Sequence, residues 1–287
     1  MIARMHRYPR REFLQAAGCA ALGALAMPSW AQLDAAQPLP GGQAAGRLAF
    51  SLGRLGPRLI AAGVIDPARF MEACARAGAP LTARSREILT EGGGGTVELD
   101  GANAHFLLSF FWAVGLANAN ALLTRGPMMR NGMGRIPGYA STGGWSLGAR
   151  PAMDVYAHLP LISLTPDQQR RLEEVSSNVF RPCCDNPTSF PDCNHGMAMV
   201  GLLTLLAAED RDVEALFGAA KAVNGAWFTG QTLQLATYSR AALSVEYPRL
   251  NPRVASGRGL FSGSGFRSVT SWLQQHGLAA PPERARC

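Results

Sequence analysis

From Leu48 onward the apolar residues fall at helical spacing, through Leu52, Leu55, Leu59, Ile60 and Val64. That period predicts a helix with one face on a core. Asp66-Pro67 follows as a helix start, an N-cap residue with proline in the first helical position. The helix it opens carries Phe70, Met71 and Cys74, and a third spans about residues 82–90 before Glu91 and four glycines. Residues 96–99 are the one clear extended segment. The most apolar stretch, residues 104–116, holds His105, Phe106, Leu107, Phe110, Phe111 and Trp112 and reads as the central helix.

Residues 120–150 are rich in Gly, Pro, Arg and Met, and a loop of that length in a compact domain is expected to be functional or mobile. Thr165-Pro166-Asp167-Gln168 is a capping box with proline at its first helical position. Its helix is predicted to run to about residue 180. Further helices are expected at 194–208, 212–224 and 231–242, and a last one at 267–276 after a tail rich in glycine and arginine. The pattern is that of a mainly α protein, a single helical domain with long Gly/Pro-rich loops.

Ahead of that domain, Arg10-Arg11-Glu12-Phe13-Leu14 leads into an uncharged stretch over residues 16–27, and Ser29-Trp30-Ala31 has the form of a small-x-small cleavage site. The stretch falls short of the roughly 20 apolar residues that cross a bilayer, so it reads as the core of a twin-arginine signal peptide. The expected organisation is a signal peptide at 1–31, a linker at 32–46 and the helical domain at 47–287. The expected location is periplasmic or secreted, with no transmembrane segment in the mature chain.

Residues 1–31 hold four arginines and one glutamate, so their removal lowers the formal net charge from +7 to +4. Lys221 is the sole lysine; every other basic residue is an arginine, and none forms a block. This scatter lacks the basic stripe of a nucleic-acid surface, so no nucleic-acid partner is expected. The cysteines Cys74, Cys183, Cys184, Cys193 and Cys287 would remain. An odd number in an oxidising compartment leaves at least one thiol free, metal-bound or paired between chains.

Three of them crowd one loop, Arg181-Pro182-Cys183-Cys184-Asp185-Asn186-Pro187-Thr188-Ser189-Phe190-Pro191-Asp192-Cys193-Asn194-His195-Gly196-Met197. Three chemistries account for such a cluster. A structural disulfide could join Cys193 to Cys183 or Cys184, stabilising the fold by roughly 2–3 kcal/mol in a protein that need not be catalytic. A soft-metal site could use Cys183, Cys184, Cys193 and His195: three thiolates and an imidazole suit zinc, while thiolate with thioether suits cuprous copper. Adjacent cysteines seldom share one ion, and C-x-x-C spacing is absent. Cys193/Met197 and His195/Met199 are i,i+4 pairs able to share a helix face, with core filling as the plainer role for both methionines. Thirdly, Cys193 is a candidate catalytic nucleophile, since a helix N-terminus favours thiolate; in a regular helix, however, His195 at i+2 points away from it. The reading adopted is a soft-metal-binding or redox role for the loop.

This loop, with Asn224-Gly225-Ala226-Trp227-Phe228 after it and the His105 segment before it, resembles a set of uncharacterised bacterial proteins sharing the Pro-Cys-Cys…Asp-Cys-Asn-His-Gly-Met pattern. The resemblance spans about residues 95–240 and implies no activity. It implies only that the cysteine loop, His105 and Trp227 belong to one unit.

Other polar features have plainer readings. His105 opens an apolar helix, where a hydrogen-bonded core histidine is the usual case. Asp154 and His158 are an i,i+4 pair expected at the surface. Gly263-Ser264-Gly265-Phe266-Arg267-Ser268 could cradle an anion on helix amides or simply connect two elements. Trp145 could stack a ligand ring or fill a buried turn.

Overall fold

The computed structural model describes residues 48–278, and these are mainly helical. The proposed signal peptide, the linker at 32–46 and Cys287 lie outside the described residues. A two-stranded antiparallel ribbon, β1 (Ala49–Phe50) on β2 (Val97–Glu98), brackets α1 (Leu55–Ala61), α2 (Pro67–Arg76) and α3 (Ala83–Thr90). The helix expected from Leu48 therefore begins only at Leu55. Leu48, Phe50 and Leu52 are buried while Ser51 is exposed, a period of two that marks a strand with one covered face. The longer helical register had masked it.

The predicted helix starts are present. Asp66 accepts the amides of Ala68 and Arg69 at 3.0 and 3.1 Å, and Thr165 and Gln168 form a reciprocal capping box on α8 (Pro166–Asn178). Between them, the segment expected to be a long loop is packed. It contains α5 (Ala121–Arg125), α6 (Pro127–Arg130), a 3-10 turn at Met133–Gly138 and α7 (Ala152–Val155). Leu122, Leu123, Met128, Ile136 and Trp145 anchor it in the core. Trp145 donates to the Val64 carbonyl at 2.9 Å and meets Trp112 edge-on, so it fills the core at a buried turn.

The centre is a pair of apolar helices, α4 (Ala104–Ala117) and α9 (Asn194–Ala208), buried on nearly every side. They touch backbone to backbone through two glycines. A Cβ at Gly115 would strike the Met197 carbonyl, and one at Gly201 would strike the Phe111 carbonyl and come within 2.8 Å of the Gly115 amide nitrogen. Around this pair α8 and α10 (Val213–Trp227) complete the main hydrophobic core.

A second, smaller core lies among α11 (Thr229–Leu243), α12 (Pro252–Ala255), α13 (Arg258–Phe261) and α14 (Gly263–Gln275), built on Phe228, Leu235, Tyr247, Phe261 and Leu273. Trp227 packs against both. Lys221 reaches from α10 to the carbonyls of Tyr247, Pro248 and Leu250 at 2.7, 3.1 and 2.8 Å. Burial draws it down to about 8, still above neutrality, so an ammonium group answers all three acceptors. Among the described residues no helix is long and apolar enough to cross a membrane.

The glycine crossing yields a direct expectation. Gly201→Val forces α9 off α4 and should cost about 3 kcal/mol by overpacking. In a domain of this size that is roughly a 6–12 °C fall in the thermal midpoint by circular dichroism; an unchanged midpoint would show that the helices do not meet at these glycines.

Candidate metal centre

The thiol loop leaves α8, turns twice and ends as the cap of α9. Cys193 is that cap: its backbone is extended (φ −118°, ψ 165°) and its sulfur accepts the Gly196 amide at 3.4 Å. Because Cys193 stands outside the helix, the rule that i and i+2 point apart does not apply to Cys193 and His195. The sulfurs of Cys183 and Cys193 and a ring nitrogen of His195 all lie within 4.8 Å of one another. A second group, Cys184, Asp192 and Cys193, meets the same criterion. The four ligands expected from sequence, joined by Asp192, thus fall into two overlapping sets of three that share Cys193. Either set could hold a metal ion.

Cys183 and Cys193 are 3.7 Å apart, sulfur to sulfur. A disulfide requires about 2.05 Å, and the four described cysteines Cys74, Cys183, Cys184 and Cys193 are free thiols. The disulfide expected as an alternative from sequence is therefore not formed. Two thiolates about 2.3 Å from a tetrahedral ion would stand about 3.8 Å apart, and the observed separation matches that value.

The residue that organises the loop is one to which the sequence analysis assigned no role. The Arg181 side chain is only 2% exposed. It makes four hydrogen bonds: Nε to Cys193 Sγ at 2.9 Å, one terminal nitrogen to the Asn186 carbonyl at 3.1 Å, and the other to the Phe190 carbonyl at 3.3 Å and Asp192 Oδ1 at 2.8 Å. Asn186 Nδ2 holds the other Asp192 oxygen at 2.7 Å. Gly196 is required above the guanidinium, since a Cβ there would lie 2.6 Å from Arg181 Cζ. An arginine directly before Pro-Cys-Cys, with an acid before the next cysteine and a glycine three residues after it, was the available signal.

These contacts set the electrostatics. Hydrogen bonds from Cys183 and Cys184 and the charge of Arg181 hold the Cys193 thiol well below its ordinary range, against the opposing effect of burial. Cys183 is pushed up by its bonds to Cys184 and Cys193 and by burial. For Cys184 the bond to Cys183 lowers the value, but Cys193 and burial outweigh it, leaving the thiol at about 11. Burial opposes the charge of Arg181, yet the neighbouring sulfurs raise its pKa above the ordinary arginine value. Of the three sulfurs, Cys193 is therefore the one on which negative charge is most favoured.

The loop is also docked on α14. Gly263 donates to the Cys184 carbonyl at 2.8 Å, and the Ser264 amide donates to Asp185 Oδ1 at 2.6 Å. The glycine-rich helix start flagged as an anion cradle does bind an anion, and that anion is Asp185 of this chain.

Other candidates resolve plainly. Met197 and Met199 are 0% and 2% exposed within the main core and fill it. Asp154 and His158 are both exposed. The His195 ring packs 4.5 Å from the Phe228 ring and 6.2 Å from that of Trp227, and Trp227 donates to the Ala104 carbonyl at 3.1 Å. His105 lies within electrostatic reach of His195; burial first, then that neighbour, lowers its pKa. Loop, His105 and Trp227 therefore converge on one place, at the seam between the two cores. No family model matches the chain, and neither does any curated protein or solved structure.

The loop's docking is pH-dependent. The hydroxyl and amide of Ser264 draw Asp185 from 3.8 to about 2. A depressed carboxylate pKa means the contact is fully present above about pH 4 and is lost as pH falls toward 2. The protection factor of the Ser264 amide in hydrogen exchange should fall across that window in the metal-free protein, and Asp185→Ala should lack this protection at every pH. A flat profile would contradict the contact.

Proposed function

We propose that this is an exported protein that binds a soft or borderline metal ion, zinc or cuprous copper, through Cys183, Cys193 and His195, with Cys184 beside them. The observation that carries the reading is the 3.7 Å separation of Cys183 and Cys193 with a histidine nitrogen within 4.8 Å of both. Sulfur and imidazole donors select zinc and copper over calcium or magnesium. Charge points the same way. Arg181 and Asp192 cancel, so two thiolates and a neutral imidazole balance a divalent ion, which favours zinc. The buried methionines give no support to a thioether-rich copper site. Export rests on the Arg10-Arg11 motif, since the twin-arginine route carries proteins already folded, often around a cofactor.

A second reading, a thiol enzyme with Cys193 as nucleophile, has in its favour the Arg181 guanidinium bonded to the sulfur and the lowered thiol pKa it helps to cause. Low-pKa thiols beside a cation at a helix start are the reactive ones. Metal content and thiol reactivity separate the two.

Protein purified without chelator should hold about one zinc or copper per chain. Cys183 and Cys193 should resist alkylation until the ion is removed. Cys193→Ser and His195→Ala should lose the ion, while Cys74→Ser, in a buried position on α2 away from the loop, should keep it. A metal-free protein with one fast-alkylating thiol would replace the metal reading with the nucleophile.

A further inference from the structure

Resting on the metal reading, the geometry points to a centre of three protein ligands with its fourth position open to a small external donor: we infer that water sits there at rest and that a single-donor ligand of the imidazole or thiolate class replaces it. The donors close enough to act together with His195 are Cys183 and Cys193. His105, within electrostatic reach of His195, does not join this set, and the other candidate donors are each engaged by further groups. The Cys184 sulfur bonds to the sulfurs of Cys183 and Cys193, but it also faces the Asn186 carbonyl at 4.0 Å and Asp192 Oδ1 at 3.8 Å and groups with Asp192 instead of His195. Asp192 spends one oxygen on Arg181 and the other on Asn186. Met197 and Met199 are sealed in the core.

The ion would nevertheless be reachable. Cys183 is exposed, and Cys193 and His195 are only partly covered. Tetrahedral zinc with four protein ligands is closed and structural, whereas three protein ligands leave a place for water or substrate. The aromatic side of the site, Phe228 against the His195 ring, restricts that place to a small molecule. Two thiolates with one imidazole is also a donor set found in catalytic zinc sites.

Cobalt(II) reports coordination through its visible absorption and can replace zinc in the whole chain. The cobalt-loaded protein should bind about one ion per chain, and titration with imidazole should shift its visible bands saturably while cobalt stays bound through gel filtration. Cys184→Ser should retain the cobalt and the shift, with a midpoint within about twofold of the parent value. A cobalt-loaded protein whose spectrum ignores imidazole would overturn the open site and leave the metal reading standing. So would a Cys184→Ser variant that gains an imidazole response absent from the parent, since Cys184 would then be the fourth ligand. Failure to bind cobalt, zinc or copper at all would overturn both.

Discussion

A guanidinium buried at the base of the thiol loop must have its charge and its donors answered, and the loop's shape follows from how they are answered. Arg181 gathers the Asn186 and Phe190 carbonyls, the Asp192 carboxylate and the Cys193 sulfur onto one plane of donors. Charge-assisted bonds of this kind are about twice as strong as neutral ones. Removing one partner from a buried set costs more than the bond itself is worth. The turn at residues 181–193 is therefore held from within, and Gly196 is the one side chain size that lets the guanidinium sit under the first turn of α9.

The rest of the fold gives this unit its place. The close crossing of α4 and α9 at Gly115 and Gly201 fixes where α9 begins, and so where Cys193 and His195 stand. Asn224 donates to the Phe180 carbonyl at 3.1 Å and Phe180 to the Ser256 carbonyl at 2.8 Å, tying the start of the loop to α10 and to the second core. Asp185 and Cys184 tie its middle to the start of α14. The sulfur cluster thus lies where two cores meet, on a connector restrained at both ends. Such restraint lets three donors wait within 4.8 Å of one another.

Much of the architecture was legible because local chemistry marks it. Asp66-Pro67 and Thr165-Pro166-Asp167-Gln168 cap the helices they announce, and the apolar runs of α4 and α9 match their predicted spans closely. Short elements were not legible. The two-residue strand at Ala49–Phe50 sits inside a run that also fits a helical period, and its partners in register, Glu98 and Val97, are 49 and 47 residues away. The helices of four or five residues between Ala121 and Val155 are held by tertiary burial of Leu122, Met128 and Ile136, which no local signal reports. At the site, cysteine clustering named the sulfurs, yet it could not say which sulfur joins His195 and which joins Asp192. Arg181 was overlooked because an arginine in a chain with 27 basic residues carries no mark of burial. Asp185 was overlooked because the helix start it occupies lies 79 residues further on.

On the proposed reading, the Arg181-centred loop presents two sulfurs and one imidazole to a single ion. X-ray absorption at the metal edge of the zinc-loaded protein measures this most directly. Two sulfur neighbours are expected at about 2.3 Å and two lighter neighbours at about 2.0–2.1 Å, one of them with the scattering of an imidazole ring. A shell of nitrogen and oxygen alone would contradict it.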